Sequence, residues 1–164
     1  MPKLALRLAT GSLLLCAAFG ASAAKSTYQD FELSGVLQEI PGPSLRCASK
    51  FGGTILGYGN SALLGRVSFL SSDCITPSGT SFTFSDGKFM ITTLTGELLF
   101  AEYGGQFVPT GQGTNYVFNS ATFQITGGTG RYAKASGGGA LSGGEDMATG
   151  KGTIQLKGRI LLKK

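Results

Sequence analysis

The sequence predicts an all-β protein whose strands close into an antiparallel barrel. Glycine is abundant, at 27 of 164 residues, and it is mixed with β-branched and aromatic residues without a collagen period. This composition is typical of short strands joined by tight turns. No stretch longer than a few residues has helical periodicity. The pattern gives eight or nine strands with turns at regular spacing, and such a set removes its exposed edges by forming a sandwich or, as we expect here, a barrel.

Two strands have the clearest alternation. In the last strand, at 152–162, the apolar side chains fall on one face with Gly158, and basic and polar side chains take the other. The strand at 116–125 behaves likewise. We expect both apolar faces to point into the barrel, because burying each large side chain contributes about 1.5–3 kcal/mol. The residues of these two faces are Ile154, Leu156, Ile160 and Leu162, and Val117, Ala121, Phe123 and Ile125.

The other strands are predicted near 28–38, 51–58, 62–71, 80–85, 88–95, 97–107 and 137–142. Asp86-Gly87 predicts a two-residue hairpin between two of them, because both central positions of such a turn favour positive φ. Gly59-Asn60 is a second and weaker hairpin signal.

The N-terminus predicts a cleavable signal peptide over 1–23, followed by a single barrel domain over 24–164. Lys3 and Arg7 precede an apolar run, and Ala21-Ser22-Ala23 supplies small residues for the cleavage site. The run is shorter than the roughly 20 residues that span a bilayer. We therefore expect a secreted or periplasmic protein with no transmembrane segment in the mature chain.

Two cysteines remain after cleavage, Cys47 and Cys74. In an oxidising compartment an even pair predicts a disulfide. With no histidine and no closely spaced cysteines, the ligands for a metal site are too few. The mature chain has only a mild positive charge and no dense basic block interleaved with aromatics, so no nucleic-acid partner is expected.

The stretch "ITGGTGRYAKASGGG" at 125–139 is similar to a phosphate-binding turn. A dinucleotide site needs a full helix after the turn and an acidic residue about 20 residues later. Here only Tyr132 to Ala135 could be helical before the next glycines, and the rest of the chain alternates like strands. We therefore predict no cofactor. Gly127, Gly128, Thr129 and Gly130 are expected to form a structural turn at the barrel rim.

The same region resembles the allene oxide cyclase and dirigent barrels, especially their small secreted bacterial relatives. The resemblance is carried by "FQITGGTGRYAKASGGGALSG" and "ATGKGTIQLKGRI", with "SFTFSDGKFMITTLTGEL" and "ALLGRVSF" before them. Leu63 stands where a histidine often precedes Leu-Gly. The resemblance covers about 62–162 and implies an eight-stranded, calycin-like antiparallel barrel with a cavity for an apolar molecule.

Acid–base chemistry in a chain without histidine falls to Glu, Asp, Tyr or Lys. Glu97 and Glu102 are predicted on opposite sides of one strand, as surface charges. Glu145-Asp146 lies in "SGGEDMATG" and is predicted to be a solvated loop tip. The serines of "SFLSSDC" have no partner base, so a serine nucleophile is not expected.

Aromatic side chains are the candidates for a ligand pocket, or they simply fill the core. Phe89, Phe100, Tyr103 and Tyr116 are the predicted ligand-binding residues, and the two tyrosines are the predicted polar groups at a barrel mouth.

Two function classes follow. The first is a non-catalytic barrel that binds a small apolar ligand or serves as a structural module. The second is a cyclase or isomerase of the allene oxide cyclase type, or a dirigent-like guide, that shapes its substrate. Inward-facing charges in a roomy cavity would favour the second class, and a solidly packed interior the first.

Overall fold

Eight strands form one closed antiparallel barrel in the computed structural model, which describes residues 27–163. Each strand pairs with its sequence neighbours, and β8 returns to pair with β1. The predicted eight-stranded antiparallel barrel is thus confirmed. The predicted signal peptide, 1–23, lies outside the described residues. The strands are β1 (Tyr28–Pro43), β2 (Phe51–Ser61), β3 (Gly65–Ser78), β4 (Ser81–Thr93), β5 (Leu98–Pro109), β6 (Asn115–Gly128), β7 (Ser136–Asp146) and β8 (Lys151–Leu161).

The apolar face of the last strand points inward, as the alternation predicts. Ile154, Leu156 and Ile160 are buried, and Leu162 packs against the core from just beyond the strand. Most of the predicted face of β6 is buried too. The interior is therefore a packed hydrophobic core.

Val117 is an exception, because 41% of its surface is exposed. Ser120 has a φ of 50°, and the pairing with β7 is interrupted between Val117 and Thr122. This irregularity shifts the alternation by one residue. In the first half of β6, Tyr116 and Phe118 pack against the core instead, and the prediction for Val117 was wrong.

Asp86-Gly87 is a bulge inside β4, so the predicted hairpin was wrong. The strands predicted near 80–85 and 88–95 are the two halves of β4, and the register with β5 shifts between Phe84 and Gly87. The φ of Asp86 is 51°, and a positive φ is also what a two-residue hairpin turn requires at its central positions. A side chain at position 87 would meet the ring of Tyr103 at 2.5 Å, so glycine makes room for that ring.

The Gly59-Asn60 hairpin was wrong as well, because both residues pair with β1 and β3 inside β2. The chain turns at 62–64 instead.

The two ends of the barrel are closed differently. We call one the disulfide end; it carries the connections 44–50, 79–80, 110–114 and 147–150. There Cys47 of the first connection is bonded to Cys74 of β3, with a Cα–Cα distance of 5.4 Å, so the predicted disulfide is confirmed. At the opposite end a short 3-10 helix, Gly130–Tyr132, places the fully buried Tyr132 ring under the core.

Candidate functional site

Three acidic side chains lie inside the barrel, toward the disulfide end. Glu39 of β1, Asp73 of β3 and Glu145 of β7 are only 5%, 3% and 6% exposed, and we call them the carboxyl cluster. Strand alternation places the first two there, because Glu39 follows Phe31, Leu33 and Leu37 on the inward face, and Asp73 follows Val67 and Phe69 on its own. A carboxylate on the apolar face of a strand is therefore the sequence signal for this site.

Asp73 is the best-satisfied member of the carboxyl cluster. Its Oδ1 accepts a hydrogen bond from the backbone N–H of Gly53 at 3.2 Å, and its Oδ2 accepts one from the hydroxyl of Tyr103 at 3.0 Å. Burial raises the pKa of Asp73, while these two bonds and the charge of Arg46 pull that pKa down. The net direction is upward, so burial is the larger effect.

Glu39 and Glu145 lie beside each other and are less well satisfied. Burial, followed by the charge of Glu145, raises the pKa of Glu39 to about 9. Burial also raises the pKa of Glu145 to about 7. Oε1 of Glu39 and Oε2 of Glu145 are buried without a hydrogen-bond partner among the described residues. Because both pKa values are raised, the pair holds at least one proton at neutral pH, which the two carboxyls share.

Aromatic rings surround the carboxyl cluster. Phe84 packs on Phe107 at 4.9 Å and Phe89 on Tyr103 at 4.8 Å between ring centroids, with Phe118 at 5.0 Å from Phe107. The cavity left between rings and carboxyls measures about 20 Å³, which is room for roughly one water molecule. Its remaining lining is Leu37, Ile55, Ser71, Leu141 and Ile154.

Glycine at position 53 is required by the carboxyl cluster. A Cβ built there would collide with Oε1 of Glu39 and lie 3.0 Å from Oδ1 of Asp73. The absence of a side chain also lets the Gly53 N–H reach Asp73. β2 therefore contributes a backbone donor to the site and no side chain.

The structure brings two of the four predicted ligand-binding residues together. Tyr103 and Phe89 both line the cavity. Tyr116 lies at the rim of the disulfide end, where its hydroxyl donates to the backbone oxygen of Thr80 at 3.1 Å. Phe100 is half-buried on the outer wall, in an open groove with Leu70 and Met90, because its neighbours Leu99 and Ala101 take the inward positions.

Glu145 is not a solvated loop tip, so that prediction was wrong. β7 continues through Gly143 and Gly144 to Asp146, which carries Glu145 into the interior. These glycines fit the strand because a Cβ at either one would collide with the backbone of a neighbouring strand, at Thr153 or Tyr116. Asp146 makes the turn instead, accepting a hydrogen bond from the N–H of Ala148 at 3.0 Å.

Gly127 and Gly128 were predicted in a turn, but they end β6 and pair with β5, so only Thr129 and Gly130 of that prediction lie beyond the strand. The segment 127–130 holds a carboxylate of the same chain. Oε1 of Glu97 accepts the N–H of Arg131 at 2.9 Å, and its Oε2 lies 3.3 Å from Nε of the same arginine. Thr129 exchanges two hydrogen bonds with the backbone of Leu98, at 2.8 and 2.9 Å. The Glu97 carboxylate thus takes the backbone N–H of Arg131 and faces its guanidinium.

Glu97 precedes β5, in the turn at 94–97, and so does not share a strand with Glu102. Its predicted place on that strand was wrong. Glu102 is exposed and forms an ion pair with Lys88.

Comparison with known proteins finds no match: no family model, no curated protein and no solved structure corresponds to this chain. Within residues 27–163, no group of three acidic or cysteine side chains, the carboxyl cluster included, is arranged so that it could hold a metal ion. Over the same residues, no helix is long and apolar enough to cross a membrane.

Proposed function

We propose that this protein is an exported barrel, secreted or periplasmic, that binds a small apolar molecule carrying one polar group. The ligand's polar group would contact the carboxyl cluster, and its apolar body would contact the surrounding aromatic rings. The observation that carries the proposal is the pair of buried, unpartnered oxygens on Glu39 and Glu145 inside a phenylalanine-rich core. The Cys47–Cys74 bond supports an oxidising compartment.

The unpartnered oxygens of Glu39 and Glu145 favour a binding role over a purely structural one. Buried polar groups without partners cost about 1–3 kcal/mol each, and apolar residues of similar volume in their place are often neutral or stabilising. Glu39, Asp73 and Glu145 come from three different strands, yet they converge on one cavity. Groups with shifted pKa values that share a cavity are typical of functional sites.

The cavity sets how a ligand can enter. At about 20 Å³ it accepts the polar group alone, whereas whole ligands occupy roughly 300–1,000 Å³. The body of the ligand must therefore displace side chains toward the disulfide end. Phe82, Tyr116 and Phe118 are partly buried there and pack against the edge of the core, so they are the rings we expect to move.

A second candidate function is an isomerase or cyclase, as the resemblance to allene oxide cyclases implies. One feature favours it: Glu39 and Glu145 are adjacent buried carboxyls, and burial raises the pKa of both, so the pair keeps a proton near neutral pH. Two such groups can divide the roles of acid and base at neutral pH. The allene oxide cyclase resemblance itself stays a proposal.

Native mass spectrometry of protein purified from its own host tests ligand binding directly. We expect a mass excess of a few hundred daltons that disappears on denaturation, and we expect less of it in Glu39→Gln than in the control Glu102→Gln. Purified protein that carries no small molecule, and that takes up none from an extract of host lipids and metabolites, would refute the binding proposal. Turnover of an extracted compound would favour the isomerase.

A further inference from the structure

We propose that the polar group of the ligand is a protonated primary amine, held among Glu39, Asp73 and Glu145. This inference rests on the proposed ligand-binding function and names the chemical class of the ligand. An acidic cluster alone would not carry it. The second observation is that Oε1 of Glu39 and Oε2 of Glu145 belong to side chains more than nine-tenths buried, line the cavity and have no donor among the described residues.

The donors and acceptors in the cavity are unequal in number. When the cluster is ionised, its three carboxylates are acceptors only, whereas the hydroxyl hydrogen of Tyr103 is already donated to Asp73. Within 27–163, no lysine or arginine is buried. Arg46 is exposed, and its guanidinium donates to the backbone oxygen of Asp86 and to Oγ of Ser72. A ligand that brings several donors and a positive charge would remove this imbalance.

An ammonium group matches these requirements better than other polar groups. It has three N–H donors and no acceptor, and so it can serve the unpartnered oxygens of Glu39 and Glu145. An alcohol has one donor, and a fatty acid would add a fourth carboxyl to the cluster. The –NH₃⁺ group is about the size of a water molecule, and the cavity of about 20 Å³ holds roughly one water.

The walls of the cavity favour the same ligand. Phe84, Phe89, Phe107 and Tyr103 line it, and aromatic faces attract cations by about 0.5–2 kcal/mol, most strongly where water is excluded. The same rings accept an alkyl chain. An apolar amine therefore finds carboxylates for its charge and a hydrophobic surface for its body.

Binding of a cation requires that the cluster release protons. The titratable groups that face the cavity are Glu39 from β1, Asp73 from β3, Tyr103 from β5 and Glu145 from β7, with Arg46 acting on Asp73 from the 44–50 connection. The elements β2, β4, β6 and β8 contribute only Ile55, phenylalanines and Ile154 to the lining. Amine affinity should rise from pH 6 to 9 as the glutamates ionise, and fall above about pH 10, where an alkylamine loses its proton.

Isothermal titration calorimetry with n-octylamine, octan-1-ol and octanoate tests the inference, with each compound kept below its aggregation limit. At pH 8.5 we expect n-octylamine to bind saturably and at least tenfold more tightly than octan-1-ol, and octanoate not to bind. Two buffers of different ionisation enthalpy should reveal proton release. Glu39→Gln should weaken n-octylamine binding at least tenfold, whereas Glu102→Gln, in the exposed Lys88 ion pair, should leave it unchanged.

Several results would overturn the amine assignment. Octan-1-ol or octanoate binding as tightly as n-octylamine would do so while leaving the proposed function intact. Equal losses in Glu39→Gln and Glu102→Gln would assign the binding to surface charge and also overturn it. Binding of none of the three compounds by a folded protein would count against both proposals. Should Glu39→Gln fail to fold, Glu145→Gln takes its place with the same expected loss.

Discussion

Tyr103 on β5 donates its hydroxyl hydrogen to Oδ2 of Asp73 on β3 across the barrel interior, at 3.0 Å. The two strands are not neighbours, because β4 lies between them. The bond therefore crosses the barrel interior and fixes the orientation of a buried carboxyl. Burial and the adjacent Asp73 charge raise the pKa of Tyr103 well above its ordinary value, so the hydroxyl keeps its proton as a donor.

Tyr103→Phe should destabilise the protein by about 1–2 kcal/mol, because it leaves a buried carboxyl oxygen without its donor. The pKa of Asp73 should rise further for the same reason. Chemical denaturation measures the first effect and NMR titration the second. Tyr116→Phe is the matched control: it removes a rim hydroxyl bonded to Thr80 and should change neither quantity appreciably. Equal effects from the two variants would contradict the role given to Tyr103.

Gly53→Ala should destabilise the barrel by about 1–3 kcal/mol, because the added methyl group collides with Glu39 and crowds Asp73. Its effect should shrink when Glu39 is shortened to alanine in the same chain, since the two changes act on one contact. Gly42→Ala serves as the control, because a Cβ there meets nothing within 4 Å. Thermal unfolding of the wild type, Gly53→Ala, Glu39→Ala and the double variant measures this coupling, and additive effects would contradict it.

Gly130→Val should lower the melting temperature more than Gly111→Val. Both glycines have positive φ, at 53° and 79°, which a β-branched residue tolerates poorly. Only at position 130 would the new side chain also collide with Glu97, whereas position 111 is open. The difference between the two variants thus isolates the contact that fills the glycine-rich turn. Equal melting temperatures would show that Glu97 contributes nothing to this turn.

Strand alternation predicted the barrel and most of its core from the sequence, and it failed where the backbone departs from regular pleating. In β6 the positive φ of Ser120 inverts the faces, so Val117 is exposed and Phe118 points inward. In β4 the bulge at Asp86 uses the residues of a hairpin without turning the chain. A hairpin turn and a bulge share the same local preference for positive φ. Only the pairing with neighbouring strands determines which of the two forms.

The candidate site was predictable in part. Glu39 and Asp73 keep the period of the apolar residues before them, so alternation alone marks them as inward-facing. Glu145 follows two glycines, which suggested a turn. These two glycines belong to the strand because their backbone lies close to the backbone of Thr153 and Tyr116, and the sequence does not reveal that contact. That the three carboxyls meet at one level of the barrel follows from strand register, which is a property of the closed sheet.

The stability of the protein should fall as pH rises from about 4.5 to about 9. The folded pKa of Glu39, about 9, lies above its ordinary value of 4.5, so the folded state binds more protons in that window. The contribution of Glu39 to the free energy of unfolding is fully present below pH 4.5. It falls by up to about 1.4 kcal/mol per pH unit and is lost by pH 9. Glu145 adds a similar slope, and so a smaller total loss, between pH 4.5 and about 7.

Urea denaturation at intervals of one pH unit measures that slope. Glu39→Gln should flatten the slope between pH 7 and 9, because an amide carries no titrating proton. Glu102→Gln, at an exposed surface pair, should retain it. A wild-type stability that stays constant or rises across this window would contradict the prediction.

NMR titration of the Glu39 side-chain carboxyl in ¹³C-labelled protein tests most directly the claim that the barrel keeps a carboxylic acid uncharged in its interior. We expect a titration midpoint near pH 9, with Glu145 titrating near pH 7 and the two curves coupled. A Glu39 midpoint near its ordinary value of 4.5 in the folded protein would mean that the carboxyl reaches water, and it would contradict the account of this site.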